Sequence, residues 1–180
     1  EIEPKAVAML VEFLGNDLSK ISNEIDKLKI VLKDNTLITA DMVEENIGIS
    51  KEYNNFELIN AVAYKNEAKA FGIAKYFALN TKNNPFVVTT SLLYNFFSKL
   101  LQYHGMIYKN AGANPADIAK QLGINQYGLK DYQAASKIYP MKKVSQTIAV
   151  IREIDLKGKG VNGSLSHDDL LKELLIKVLR

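Results

Sequence analysis

Residues 84–110 read "NPFVVTTSLLYNFFSKLLQYHGMIYKN", and the fold turns on the period of that run. Apolar side chains return every three or four positions in two rows, Val88–Leu92–Phe96–Leu100 and Leu93–Phe97–Leu101, which is the signature of a helix with a wide apolar face. Asn84 is suited to capping it, and Pro85 to its first turn, where a missing N–H costs nothing. A helix of this breadth should be the central and most buried one. His104 lies on it beside Tyr103 and Gly105 with no Asp or Glu in the same turn. It is read as a packed or partly exposed residue, because general-base work needs a positioned partner.

The same period continues on both sides. Upstream, "NFELINAVAY" (55–64) and "NEAKAFGIAKYFALNTK" (66–82) are helical, the second capped by Asn66. Before them, "GISKEYNNF" (48–56) is polar and ends in an Asn pair suited to capping, so a domain boundary is placed there. Leu18, Ile21, Ile25, Leu28 and Leu32 form one stripe on a helix from about Asn16 to Lys33. Gly15 ends the short helix before it, and Asn16 and Asp17 suit its positive end. Glu24 and Lys27 pair across one turn, a contact worth about 0.2–0.5 kcal/mol. Thr39 caps "ADMVEENI", with Met42, Val43 and Ile47 facing inward. Downstream, "MKKVSQTIAVIREIDLKGKG" (141–160) precedes "SHDDLLKELLIKVLR" (166–180), where Ser166 and Asp169 form a capping box with Asp in the usual place of Glu. No useful period-2 run and no long internal repeat appear, so the expected class is all-α without a solenoid.

Composition narrows the function. The chain has 180 residues, 47% apolar and 24% charged, which suits an ordinary folded core. It has no Cys and two His, His104 and His167, far apart, so thiolate chemistry and a His-based metal site are not expected. An intracellular, cytoplasmic setting is the expectation, with no membrane-spanning run and no signal-like start. The first residue, Glu1, together with Pro4 at a plausible helix start, suggests a piece of a longer protein. Residues 1–50 hold 5 Lys against 10 Asp or Glu, a net of −5, whereas residues 51–180 hold 18 Lys or Arg against 10 acids, a net of +8. The second part therefore either faces something acidic or is simply a well-solvated surface.

Candidate chemistry is sparse. "KGKGVNGS" (157–164) has Gly and Lys but not the order of a phosphate-binding loop, and reads as a flexible turn. "HDD" (167–169) cannot converge on one ion from consecutive positions at a helix start. No Ser, His and acid set and no paired carboxylates in an apolar setting can be nominated, so no catalytic site, metal or cofactor is expected.

Residues 117–136, "DIAKQLGINQYGLKDYQAAS", read two ways. As a helix-turn-helix, Ala119 is small at the crossing, Gly123 ends the first helix, and Ile124, Leu129 and Tyr132 pack the pair. A transcriptional regulator with this motif at 114–137 is the alternative reading. The second helix would then present Gln126, Tyr127, Gly128, Lys130, Asp131 and Gln133 to DNA. That is a poor reading surface, because phosphates repel the carboxylate and affinity comes largely from Lys and Arg.

The order of segments resembles the C-terminal part of the delta subunits of bacterial DNA polymerase III clamp loaders. The resemblance rests on "LVEFLGNDLSKISNEIDKLKI", "ITADMVEENIGIS", "FELINAVAYKNEAKA", "NPFVVTTSLLYNFFSKLL" and "IREIDLKGKG" before an apolar last helix, and covers nearly the whole chain. Its most specific pieces are Gly15, Asn16 and Asp17 with Glu24, Lys27 and Leu28, then Asp155 with Lys157 and Gly158. It implies that residues 1–50 are part of a small helical lid domain, and that residues 51–180 are a helical-bundle collar domain that joins loader subunits in a ring. These motif residues would be architectural. It further implies a non-catalytic component of a DNA-directed DNA polymerase holoenzyme in DNA replication, with gamma/tau and delta prime subunits as partners. The sliding clamp would be gripped only through an N-terminal domain outside this chain, and primed DNA would be met in the full assembly. The helix pair at 117–136 then lies inside the collar. DNA contact, if any, falls to Lys130, Lys137, Lys142 and Lys143, with Tyr127, Tyr132 and Tyr139 either stacking on unpaired bases or packing in the core.

Overall fold

The computed structural model describes residues 1–14, 18–32, 36–47, 53–161 and 165–180. Among them the chain is all-α, relieved only by turns and by an isolated parallel bridge between Ile2 and Ile38. Its contacts divide it into two compact units, Glu1–Glu57 and Leu58–Arg180.

The first unit contains α1 (Pro4–Leu14), α2 (Leu18–Leu32) and α3 (Ala40–Ile47). Ala6, Met9 and Leu10 of α1 meet Leu28, Ile38, Ala40 and Val43 in a small core, with Met42 and Ile47 packed at its edge. Backbone bonds join Glu3 N to Ile38 O (2.9 Å) and Ile38 N to Glu1 O (2.9 Å). Two side chains hold the start of α3: Thr39 Oγ1 accepts from Met42 N at 3.3 Å, and Glu3 accepts from Ala40 N at 2.8 Å. The expected stripe on α2 holds at Leu28 but not at its start. Leu18 is 80% exposed and Ile21 and Ile25 are only half-buried, because two shorter helices cannot cover the whole length of a fifteen-residue one.

In the second unit, α4 (Asn55–Ala63) contributes its residues from Leu58 onward, followed by α5 (Glu67–Leu79) and α6 (Phe86–Lys109). After these come α7 (Pro115–Leu122), a 3-10 turn (Gln126–Gly128) and α8 (Leu129–Ile138). The unit closes with α9 (Met141–Gly158) and α10 (His167–Leu179). α6 is central: it packs along α9 and also against α7 and α8, while α10 covers α9 and α5. Its buried face runs through Phe86, Thr89, Thr90, Leu93, Phe96, Phe97, Leu100 and Tyr103. That face is rotated from the expected rows. Val88 is 42% exposed, while two threonines are inside.

Local chemistry sets most helix starts. Asn54, Asn66, Asn114, Asn125 and Ser166 each accept a backbone N–H from the residue two or three positions further on. Asn84 does not cap α6. Pro85 takes the cap position, its carbonyl accepting from Val88 N and Thr89 N, and the Asn84 amide instead donates to Asn80 O at 3.1 Å. Gly123 ends α7 at φ 60°, with Ile124 N returning to Ala119 O at 3.0 Å, a closure that a left-handed residue makes possible. Lys65 occupies the same kind of position after α4 at φ 54° without being glycine. Of the turn expected at 157–164, the first two residues still belong to α9, which continues through Gly158; the chain turns at Lys159 and Gly160, the latter at φ 86°, and residues 162–164 lie outside the described residues.

Candidate functional site

The motif residues near the end of the chain converge on a joint between α6, α9 and α10. Thr90 Oγ1 on α6 lies 3.1 Å from Val87 O and 3.3 Å from Asp155 Oδ1, so its one proton is shared between its own helix and α9. The other Asp155 oxygen takes Lys159 at 2.6 Å. Lys157 bridges Glu153, one turn back, at 2.9 Å and Glu173 of α10 at 3.1 Å. Lys177 completes a square of charges, 2.7 Å from Glu173 and 3.5 Å from Glu153.

Titration follows from that square. The Lys157 ammonium, then the charge of Lys177, hold Glu153 below the usual carboxylate range. Lys177, then Lys157, do the same to Glu173. Both lysines are raised in return, Lys157 mainly by its hydrogen bond to Glu153 and Lys177 mainly by its bond to Glu173. All four lie at the solvent boundary, so the square orients α9 against α10 more than it stabilises either.

Gly158 has a packing reason. A Cβ there would fall 2.9 Å from Phe86 Cδ1 and nearer still to Cε1, so only a residue without a side chain lets α9 end against that ring. On the same ring His167 stacks at 4.8 Å with planes 10° apart, and its Nε2 lies 3.3 Å from Gly158 O. Phe86, His167 and Gly158 thus tie the start of α6, the end of α9 and the start of α10 together. Asp155, Lys157 and Gly158 all have partners within the unit.

The other sequence-predicted residues are dispersed. Gly15, Asn16 and Asp17 lie outside the described residues. Glu24 and Lys27 form their surface pair at 2.7 Å, and Leu28 is buried in the first unit's core. Lys130, Lys137 and Lys142 are exposed, whereas Lys143 is half-buried and donates to Lys177 O at the end of α10 at 3.1 Å.

The helix pair of residues 117–136 is knitted into the bundle. Gln126, Tyr127 and Gly128 fall in the 3-10 turn rather than on a reading helix. Asp131 accepts a hydrogen bond from Tyr64 at 2.8 Å, and that bond raises the Tyr64 phenol. Tyr132 packs on Phe96 with centroids 5.0 Å apart, and burial, then the Asp131 charge, push its phenol up to about 12. Tyr139 is buried and donates to Val62 O at 2.8 Å, while its own carbonyl faces His104 Nε2 at 2.8 Å. Burial, then Glu67, raise that phenol strongly. Of the three tyrosines, only Tyr127, 81% exposed, is open for stacking.

Thr90, Glu153, Glu173, Lys177 and Phe86 were not singled out from sequence. Two of their contacts had a signal, since Glu153–Lys157 and Glu173–Lys177 are four apart and face each other on a helix. The links from α9 to α6 and α10 had none. Among the described residues no group of His, Cys, Asp or Glu could hold a metal ion, and no helix is long and apolar enough to cross a membrane.

Residues 52–178 match the family described as DNA polymerase III delta subunit, C-terminal domain. Over 179 residues the chain is 25% identical to the DNA polymerase III subunit delta of Bacillus subtilis (strain 168), covering 99% of this chain and 50% of that one. Among solved structures it resembles the Bacillus subtilis DNA clamp loader delta protein (YqeN), with a TM-score of 0.66, 25% identity, and coverage of 99% of this chain and 51% of that one. The chain spans about half the length of the curated relatives it matches.

Proposed function

Because the chain belongs to the family of C-terminal domains of DNA polymerase III delta subunits, we propose that it is a non-catalytic, cytoplasmic component of a clamp loader. Its task is assembly with sibling subunits of the gamma/tau and delta prime kind, so that a sliding clamp can be opened and loaded on primed DNA. Residues 51–180 act as the collar, and residues 1–50 are part of the lid. Gripping the clamp belongs to a part of the protein outside this chain.

The observation that carries this reading is the match of residues 52–178, a span that takes in nearly all of the second compact unit, Leu58–Arg180. The geometry supports it. Asp155, Lys157 and Gly158 join three helices of that unit, which suits an architectural role, and the helix pair at 117–136 is committed to packing. The net charge of +8 over residues 51–180 suits a place beside acidic neighbours or DNA. Lys130, Lys137 and Lys142 remain available for phosphate contact; Lys143 is partly occupied.

Size-exclusion chromatography with light scattering tests the reading, on this chain alone and mixed with collar domains of the same organism's other clamp-loader subunits. Co-elution in a defined stoichiometry is expected. No complex, together with a self-dimer that selects a DNA sequence, would replace this reading with that of a regulator.

A further inference from the structure

α6 and α9 run antiparallel, since Gly158 meets Phe86 and Asp155 meets Thr90 at opposite ends of their sequences. Between them lies a groove of about 360 Å³ lined by Thr90, Ser91, Tyr94, Ile151, Arg152 and Asp155. Its floor is apolar, with Ile151 buried, and Tyr94 stands on its rim 48% exposed. Val87, 44% exposed, Ser91 and Tyr94 share one face of α6. The Ser91 hydroxyl is already donated to Val87 O at 2.7 Å, so it offers a surface and no free proton.

Charge is what makes this groove selective. The acids beside Arg152 are already engaged, Glu153 by Lys157 and Lys177, and Asp155 by Lys159 and Thr90. Arg152 is exposed and makes no ion pair with any described residue. A guanidinium at the edge of an apolar groove, next to a half-open tyrosine, combines the two residue types that most often dominate interfaces. Its forked donors match a carboxylate, and the positive surplus of this part of the chain attracts an acidic surface.

We propose that the groove seats one amphipathic helix of a neighbouring clamp-loader subunit. That helix carries a carboxylate for Arg152 and, one turn away, a large apolar side chain against Tyr94 and Ile151. A helix suits the groove, because side chains three or four positions apart on it stand on one face and can meet Arg152 and Tyr94 together. The inference rests on the proposed assembly role and adds where the partner binds and what it must present.

The test is titration calorimetry of this chain, as wild type, Arg152→Glu, Tyr94→Ala and Ser91→Arg, into the collar domains of its sibling subunits, beside thermal melts of each variant. All three positions line the open groove and the melts should stay unchanged. Each substitution is expected to weaken the complex roughly thirtyfold or more, the range of interface hot spots. Charge reversal of a carboxylate on the partner helix should restore binding to Arg152→Glu. If wild type binds and the variants bind equally well, the groove is not the seat. If the complex with sibling subunits is kept while binding to a primed oligonucleotide falls, the groove serves nucleic acid and the proposal is overturned. If wild type itself forms no complex, the assembly role fails first.

Discussion

Replacing Gly158 with alanine sets two effects against each other. In an exposed helix Gly→Ala gains up to about 1 kcal/mol from propensity, and less at a helix end, where Gly158 sits. Against this, the new methyl must displace the Phe86 ring, which His167 backs at 4.8 Å. Overpacking of this kind costs about 1–3 kcal/mol. A cavity of about 200 Å³ beside Phe86, lined also by Phe77 and Leu171, gives the ring somewhere to swing, so the lower half of that range applies. The expected net is destabilisation by about 1 kcal/mol, read from urea unfolding and as a fall of roughly 2–4 °C in Tm. In a Phe86→Leu background the obstruction is reduced, and the same alanine should become neutral or stabilising. A double-mutant cycle measures that coupling. If Gly158→Ala raises stability in the wild-type background, or costs the same once the Phe86 ring has been removed, the close approach is not what keeps glycine there.

Lys65 holds a left-handed φ of 54° with a side chain attached, so Lys65→Gly should stabilise by up to about 1 kcal/mol in chemical denaturation, and a loss would contradict the strain. Two buried hydroxyls should behave oppositely. Tyr139→Phe loses the bond to Val62 O and costs about 1–2 kcal/mol, whereas Thr147, buried with no partner for Oγ1, should gain about 1 kcal/mol as Val by the same assay. The square at α9 and α10 predicts a pH plateau in thermal melts. Its carboxylates bind protons more weakly folded than unfolded, so their contribution is present above the ordinary carboxylate range and is lost as pH falls through the lowered values of Glu153 and Glu173. On the alkaline side Lys157, Lys177 and Tyr132 bind protons more tightly folded. Their contribution is whole below the ordinary values, near pH 10, and is lost as pH rises through the raised ones. A Glu153→Gln, Glu173→Gln variant should lose part of the acid-side fall; an unchanged profile would remove the square from the explanation.

What the sequence disclosed was mostly local. The caps at Thr39, Asn66 and Ser166 and the closure at Gly123 depend on a few adjacent residues, and all are where their residue types predict. The all-α class followed from the period, and the family from the resemblance of the quoted segments in their order. The orientation of each helix was less legible, because which side is buried depends on partners far along the chain. Val88 and Leu18 continue apolar stripes yet stand exposed, while Thr89 and Thr90 are buried on the side of α6 that meets its neighbours. Asn84 was misplaced by one residue because Pro85, lacking an N–H, serves as well just outside the helix as just inside. The least legible features were those made by juxtaposition. Nothing in the spacing of Phe86 and Gly158, or of Tyr94 and Arg152, announces that they meet or line one groove.

The position of α10 bears on how the protein is made. α10 is synthesised after α5 and α9, the two helices it covers. Until Leu170, Leu171, Leu174 and Leu175 have left the ribosome, Ala70, Ile73 and Phe77 belong to a core that has no lid. Tyr139 likewise reaches back to Val62 across 77 residues, so two closures of the second unit wait for late segments. Until α10 is made, the apolar faces of α5 and α9 that it covers stay open, and transiently exposed surface of that kind is prone to aggregation. A change that shortens α10 should therefore act on the folding of the second unit, before any question of assembly arises.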